Sequence, residues 1–232
     1  MRQFFFLLLL VSAAVGSQSA SAQKIIEKTA NLTAGQRVFL NLKQASNIRI
    51  RPGAAGKMTM KATVSINSNR LNDALQIALD PSSDELKVTA DFDKEMLKQA
   101  QPGDCPNSHG DHNVWYGQQV CDDISYEITL PADVALHVYT YSGNVDIVGF
   151  TNAIEAKSLS GFVDVAWPSN KGAELSLKTI TGEVYTDQDI AFSTAQRKNP
   201  IVGYQLHGTL SGSGPLVKLE SISNDVYFRK RK

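Results

Sequence analysis

The chain has 232 residues and a neutral charge balance, with 23 lysines and arginines against 23 aspartates and glutamates. This balance argues against nucleic acid as a partner, because phosphate binding needs a clustered basic surface. The one basic cluster, at residues 229–232, is typical of a solvated C-terminus, with a contact to anionic lipid or polysaccharide as the alternative.

Residues 1–22 have the pattern of a secretory signal peptide. Arg2 supplies a positive charge, residues 4–15 form an apolar run, and residues 20–22 (Ala-Ser-Ala) match a small-x-small cleavage site. The apolar run of about 12 residues is too short for a membrane span, which needs about 20. We therefore expect an exported chain without a transmembrane span, located in the periplasm, with the cell surface or secretion as alternatives.

The N-terminal β region, residues 23–130, alternates between apolar and polar residues, most clearly at 57–66 and 85–92, which predicts strands. The pair Ala34-Gly35 predicts a hairpin turn between the strands on either side. Residues 69–79 instead carry leucine and alanine at helical spacing, with Asn69 as a candidate N-cap and Pro81 as a stop. This segment is predicted to be the one short helix.

Residues 93–123 break every periodicity with proline and glycine, which predicts a long loop inserted into the β region. Its two cysteines, Cys105 and Cys121, predict a disulfide in an exported protein. His109 and His112 lie between them, so a tetrahedral zinc site is the alternative. The spacings match no standard zinc finger, and a disulfide would remove both sulfurs as ligands. We expect the disulfide with exposed histidines, no metal and no cofactor.

In the C-terminal region, residues 131–232, one eight-residue phrase recurs at 140–147, 158–165, 179–186 and 221–228. Each copy has glycine or asparagine at its fourth position and valine two residues later. These pairs are Gly143 and Val145, Gly161 and Val163, Gly182 and Val184, Asn224 and Val226. The fourth positions are 18, 21 and 42 residues apart, so we expect a degenerate copy at 204–212 in the last gap. Residues 47–50 resemble 144–147 and are interpreted as an early rung.

The phrase predicts an all-β fold, a single-stranded β-solenoid-like stack of short strands. Its apolar residues alternate and point inward, and its glycine or asparagine turns the chain because both tolerate positive φ. A single rung cannot bury its apolar face alone, so successive rungs should stack on one another, continuous with the N-terminal β region in one structural domain. Serines and threonines before the glycine should form hydroxyl ladders along the stack.

These residues resemble a known family. The run at 126–133, then Leu136-His137-Val138 and the repeated Ser-Gly-x-Val-x-Val phrases, is similar to the putative adhesin family of bacterial envelope proteins and to head-domain putative autotransporter adhesins. The resemblance covers residues 124–228 well and 23–92 loosely, and it does not include the loop at 93–123. It implies an exported β-solenoid-like or twisted stacked-sheet domain without catalytic activity.

One position of the phrase is the candidate binding face. Three residues after the glycine or asparagine, the copies carry Asp146, Asp164, Tyr185 and Tyr227, on the outward side. The simpler interpretation is a solvated face whose charges discourage edge aggregation. The functional interpretation is a row that binds carbohydrate or calcium, although the dense acidic repeat typical of calcium sites is lacking.

The sequence carries no convincing catalytic motif. His137, Ser142 and Asp146 share one rung, but these residue types are common in such ladders, and no strand-elbow-helix context surrounds a serine. We therefore expect a non-catalytic exported envelope protein, an adhesin or a surface- or partner-binding module, whose partner is an envelope protein or a surface glycan. The alternatives are an envelope stress-sensing or regulatory component acting through protein contacts and, third, a glycan-processing enzyme.

Overall fold

The computed structural model describes residues 22–106, 113–193 and 203–231. The predicted signal peptide therefore lies outside the described residues, apart from Ala22. In chain order the first strands are β1 (Lys24–Asn31), β2 (Arg37–Leu42), β3 (Asn47–Pro52), β4 (Lys57–Ile66), β5 (Leu75–Pro81), β6 (Glu85–Phe92), β7 (Asn113–Trp115), β8 (Gln118–Val120) and β9 (Asp122–Leu130). The later strands are β10 (Leu136–Thr140), β11 (Asn144–Val148), β12 (Ile154–Ser158), β13 (Val163–Trp167), β14 (Ala173–Thr179), β15 (Val184–Thr186), β16 (Ile190–Phe192), β17 (Tyr204–Leu210), β18 (Leu216–Ser221) and β19 (Val226–Lys230).

The strands form two large sheets that share one core. The eight-stranded sheet has the order β1-β4-β9-β3-β11-β13-β19-β15, and the nine-stranded sheet has the order β16-β17-β14-β18-β12-β10-β2-β6-β5. The middle strands of both sheets pair in parallel. Three of the four outermost pairs, β1 with β4, β16 with β17 and β5 with β6, are antiparallel, whereas the fourth, β15 with β19, is parallel. Buried side chains of both sheets form one hydrophobic cluster. The all-β prediction is confirmed.

The single short helix is also confirmed within the described ranges, but its predicted position is wrong. The helix is α1 (Lys94–Leu97), capped by the Asp93 side chain. The segment predicted to be helical begins with a 3₁₀ turn, Asn72–Ala74, and continues as strand β5, which pairs with β6. A lone helix of about ten residues is marginal in water, whereas pairing with β6 satisfies the backbone of this segment. No helix in the described ranges is long and apolar enough to cross a membrane.

Each copy of the phrase carries the chain from one sheet to the other. The strand before the turn lies in the nine-stranded sheet and the strand after it lies in the eight-stranded sheet, as in β10 and β11. Val145, Val163 and Val226 are fully buried, and Val184 is half-buried because β15 is an edge strand. The early rung is present, since Asn47–Ile50 of β3 pair with Asn144–Ile147 of β11. The hairpin predicted at Ala34-Gly35 is absent, because β1 and β2 belong to different sheets.

The rungs do not stack in sequence order. Strand β19 pairs with β13 on one side and with β15 on the other, so the fourth copy lies between the second and the third. The expected degenerate copy is not a rung, because β17 runs antiparallel to β14. Every copy presents the same inward valine and the same tight turn, so periodicity alone cannot select which copy lies beside which.

Close packing, rather than positive φ, explains the glycine of the phrase. None of its four turn positions has a positive φ. A Cβ on Gly161 would lie 2.1 Å from the carbonyl oxygen of Gly143, and a Cβ on Gly182 would lie 2.2 Å from that of Asn224. The turns are stacked so tightly that one carbonyl occupies the space of the next side chain.

Buried hydroxyls join each turn to its neighbour through the backbone. Ser158 Oγ accepts a hydrogen bond from Gly161 N at 2.9 Å and donates one to Gly143 O at 2.9 Å. Ser221 Oγ does the same with Asn224 N at 3.0 Å and Gly161 O at 2.9 Å. The hydroxyls three positions before the turn glycine therefore bond to backbone groups instead of to each other, so the ladder runs through the turns themselves.

Candidate functional site

One row of outward side chains crosses the whole eight-stranded sheet. The registers of the seven strand pairs place one residue of each strand beside the next. At about 4.8 Å between strands, the row spans roughly 34 Å. We call it the outward strip, and in spatial order it consists of Glu27, Lys61, Glu127, Arg49, Asp146, Asp164, Tyr227 and Tyr185. The four residues singled out from the sequence are its last four members.

The first half of the outward strip borders a shallow groove of about 460 Å³. A second row, of threonines, lines the same groove, and its members are Thr29, Thr59 and Thr129. Lys61 Nζ lies 3.8 Å from a carboxylate oxygen of Glu127. Arg49 is exposed, and none of the ion pairs or hydrogen bonds among the described residues involves its side chain. Its guanidinium is therefore free to donate to a ligand.

The two aspartates in the middle of the strip are each bound by an arginine. Arg51 donates to the carboxylate and to the backbone oxygen of Asp146, the latter at 3.1 Å. Arg229 holds Asp164 with two donors, with Nε at 2.9 Å from Oδ1. Asp164 is only 8% exposed; this burial raises its pKa, and the Arg229 guanidinium acts in the opposite direction.

The two arginine–aspartate pairs weaken the interpretation that the strip binds calcium. A calcium ion is held by several oxygen ligands, chiefly carboxylates and carbonyls. Here both carboxylates already accept hydrogen bonds from a guanidinium. Among the described residues, no group of three His, Cys, Asp or Glu side chains is arranged to hold a metal ion.

The far end of the strip is aromatic. The rings of Tyr185 and Tyr227 stack with centroids 5.1 Å apart and planes 13° from parallel, and Phe162 meets Tyr227 edge to face at 6.0 Å. The hydroxyl of Tyr185 donates to Glu183, and the hydroxyl of Tyr227 donates to Asp225, each at 2.9 Å. These carboxylates raise the pKa of both tyrosines. Sequence reasoning missed both acids, although residues two apart in an extended chain share a face.

The predicted disulfide between Cys105 and Cys121 is confirmed, with Cα atoms 5.8 Å apart. It removes both sulfurs from the alternative zinc site, and His109 and His112 lie outside the described residues. Beside it, Asn67 is buried and its side-chain oxygen accepts a hydrogen bond from Cys121 N at 3.0 Å. Three consecutive residues here, 67–69, have left-handed backbone with φ of 48°, 55° and 69°, a costly conformation that the surrounding contacts must hold.

Asp104 connects the base of the loop to this turn. It accepts hydrogen bonds from Arg70 Nε at 2.8 Å and from Gln101 N at 2.8 Å. The Arg70 guanidinium is the largest cause that lowers the pKa of Asp104, to about 2. The loop is therefore fastened at its base by one covalent bond and one charged hydrogen-bond cluster.

The β7–β8 hairpin, within the loop, packs against β6 and Tyr141 through aromatic residues that the sequence did not single out. Trp115 stacks on Tyr141, with centroids 5.8 Å apart and planes 9° from parallel. The hydroxyl of Tyr116 donates to Asp91 at 3.0 Å, and Lys43 forms an ion pair with the same carboxylate. Two aromatic residues in a segment otherwise rich in proline and glycine are the signal that could have indicated this contact.

The residues considered for catalysis do not form one hydrogen-bonded set. His137 packs against the ring of Phe39 at 4.5 Å. Ser142 Oγ donates to the backbone oxygen of Ala45 at 3.0 Å, and Asp146 is bound by Arg51. Each of the three thus has a different partner.

The chain resembles known proteins in fold but not in sequence. No family model matches it, and no curated protein matches it. A solved structure of a putative cell adhesion protein from Clostridium sporogenes is similar, with a TM-score of 0.52 and 10% identity, covering 90% of this chain and 100% of that one. A putative adhesin from Bacteroides fragilis aligns over 90% of this chain and 98% of its own, with 11% identity and a TM-score of 0.25. The likeness to the first concerns the fold alone.

Proposed function

We propose that this chain, which shares its fold with a putative cell adhesion protein, is a non-catalytic exported binding module of the bacterial envelope. The outward strip is its binding face. The single observation that carries the proposal is the strip's continuity, with one side chain from each of eight strands in a common register. Such a line suits an extended partner that lies along the stack and contacts successive strands.

The strip is also held rigid before any partner arrives. Its middle carboxylates are fixed by Arg51 and Arg229, and its tyrosines are fixed by stacking and by Glu183 and Asp225. Side chains that are already ordered lose little conformational entropy on binding. Arg49 and Tyr185 are both exposed, so each can contact a partner directly.

Two further features support export. The disulfide between Cys105 and Cys121 is the kind of bond that persists in oxidising compartments. The first 22 residues have the composition of a secretory signal. Both features are consistent with a surface-binding module of the envelope.

The test measures binding of the purified protein to bacterial envelope fragments and to an array of surface glycans. The variant Arg49→Ala/Tyr185→Ala removes two exposed groups of the strip, and we expect at least a roughly ten-fold loss of affinity, about 1.4 kcal/mol. The matched control is Glu174→Ala, an exposed residue of β14 in the other sheet, which should bind like the parent.

A double variant that binds as well as the parent protein would refute the strip as the binding face. Shortening of a bound glycan over time would show that the protein is an enzyme instead. Capture of one envelope protein without any glycan, by a contact that the double variant loses, would favour the sensing or regulatory role.

A further inference from the structure

The aromatic end of the outward strip differs from the rest of it in presenting an open ring face. Tyr185 lies on β15, the edge strand of the sheet, and its ring stacks on Tyr227 of β19. No further strand among the described residues covers its other side, and Tyr185 is 45% exposed. The result is a flat apolar platform at the end of the sheet.

Two carboxylates are fixed at the rim of this platform. Glu183 Oε2 accepts a hydrogen bond from the hydroxyl of Tyr185, and Asp225 Oδ2 accepts one from the hydroxyl of Tyr227. Asp225 Oδ1 also accepts a hydrogen bond from Glu183 N at 2.9 Å, which ties the Asp225 side chain to the backbone of Glu183. Glu183 Oε1 makes none of the hydrogen bonds seen in the described part of the chain, so it can accept one from a ligand.

The local charge is negative. Two more carboxylates, Asp187 and Asp189, follow β15 directly. Two cations at the end of the neighbouring strand β19 are already engaged, since Arg229 holds Asp164 and Lys230 Nζ lies 3.7 Å from Asp189. A ligand with a positive charge would therefore be attracted to this end of the strip.

We propose that the platform binds an amino sugar, a pyranose ring that carries a protonated amine. This inference rests on the proposed function and names the ligand class for one end of the strip. The apolar C–H face of the ring packs on Tyr185, and the ammonium group donates charge-assisted hydrogen bonds to Glu183 and Asp225. Cation–π attraction between the ammonium group and the Tyr185 ring strengthens binding further.

A lysine-rich peptide has the same charge but fits the site less well. A peptide would bind most strongly by adding a strand to the free edge of β15. The first backbone donor of this strand is already used, because Val184 N donates to the hydroxyl of Tyr204 at 2.6 Å. A short strand of three residues with one donor occupied offers little for strand addition.

The experiment titrates the purified protein with a β-1,4-linked glucosamine hexamer and with its fully N-acetylated counterpart, which has the same rings without the charge. We expect the amine form to bind about ten-fold more tightly or better, with an affinity that falls as salt is added. Glu183→Gln/Asp225→Asn should weaken binding of the amine form about ten-fold, and Tyr185→Ala should abolish binding of both sugars. Tyr185→Phe keeps the ring face and should retain most of the affinity, and Glu174→Gln is the matched control.

Equal affinity for the two hexamers would overturn the proposal, because the carboxylates would then have no role. Oligolysine that binds as tightly as the glucosamine hexamer, with the same dependence on Glu183 and Asp225, would overturn it in favour of a peptide. If the amine form does not bind, but envelope binding still depends on Arg49 and Tyr185, this inference fails and the proposed function stands. If neither form of binding is seen, both fail.

Discussion

The stacked rungs and the disulfide-clasped loop are held together by opposite means. In the rungs, each turn repeats the same few contacts, an inward valine, a tight glycine and a buried hydroxyl such as Ser158. In the loop, the chain is fastened at its base by the Cys105–Cys121 bond and by Asp104, and its β7–β8 hairpin packs through Trp115. The rungs use many small apolar and backbone contacts, and the loop uses a few strong ones.

This difference determines how each region should respond to change. A rung shares its contacts with the rungs on both sides, so damage to one turn should spread through the stack and lower global stability. Among the described residues, the loop adds only Leu97 and Val120 to the buried core, so damage there should remain local and should depend on redox state and pH. Four measurements test this contrast, and they follow in order of expected effect.

The largest effect is expected from Gly161→Ala. The new methyl group would lie 2.1 Å from Gly143 O, so the two turns must separate. Overpacking of this severity should lower the free energy of unfolding by about 3 kcal/mol or more, measured by denaturant titration.

Asn224→Ala is the matched control, because this turn already carries a side chain. It loses only the bond between Asp225 N and Asn224 Oδ1, worth about 1 kcal/mol. Equal losses would show that close packing is not the reason for the glycine.

The next effect is expected from Cys105→Ser/Cys121→Ser. Opening a loop of about 15 residues should lower the free energy of local opening of the loop by up to about 3 kcal/mol, while the rungs keep their stability. Hydrogen exchange should accelerate at 113–120 and stay slow in β11 and β13. The chain has two tryptophans, so a Trp115→Phe variant identifies the loop signal by fluorescence. Faster exchange throughout the rungs would contradict a local role for the clasp.

A smaller effect is expected from Ser158→Ala. The change leaves Gly161 N and Gly143 O without their buried partner, which should cost about 2 kcal/mol in the free energy of unfolding. Ser160→Ala, in the same turn but exposed, should change it by less than about 0.5 kcal/mol. If the two variants were equally stable, the hydroxyl link between turns would make no contribution to the free energy of unfolding.

The smallest effect is expected from acid, and it concerns the loop. Because the pKa of Asp104 is lowered to about 2 in the folded chain, its contribution is present above its unfolded pKa of about 3.9. That contribution is lost as the pH falls from about 4 to about 2. The protection factors of the amides at 113–120, which divide out the intrinsic pH dependence of exchange, should fall over this range. In Asp104→Asn they should be lower already at neutral pH and should change less with acid. Asp80→Asn, at an exposed position, should behave like the parent. If protection of these amides in the parent protein did not change between about pH 4 and about pH 2, Asp104 would not be the residue that holds the loop in place.

The sequence predicts each rung well because a rung is formed by residues that are adjacent in the chain. Val145, Val163 and Val226 are buried as their alternation requires, and the phrase places Asp146 and Tyr227 on the outward side. The prediction from sequence fails where a segment could adopt either of two structures. Residues 69–79 have helical spacing, yet β6 offers this segment a strand partner. Ala34-Gly35 looks like a hairpin turn, yet it links two sheets.

The sequence by itself therefore determined the all-β class, the recurring rung and the pairing of the two cysteines. It also placed four of the eight strip residues, Asp146, Asp164, Tyr185 and Tyr227, on the outward side. Only the tertiary structure decided the order of the rungs, which brings Tyr227 beside Asp164 and leaves Tyr185 at the open edge. It also supplied Arg51 and Arg229 as partners of the aspartates and gave Gly161 its steric reason. The physical cause is the same in each case: alternation fixes which side of a strand a residue faces, while neighbours across a sheet are chosen by contacts between distant parts of the chain.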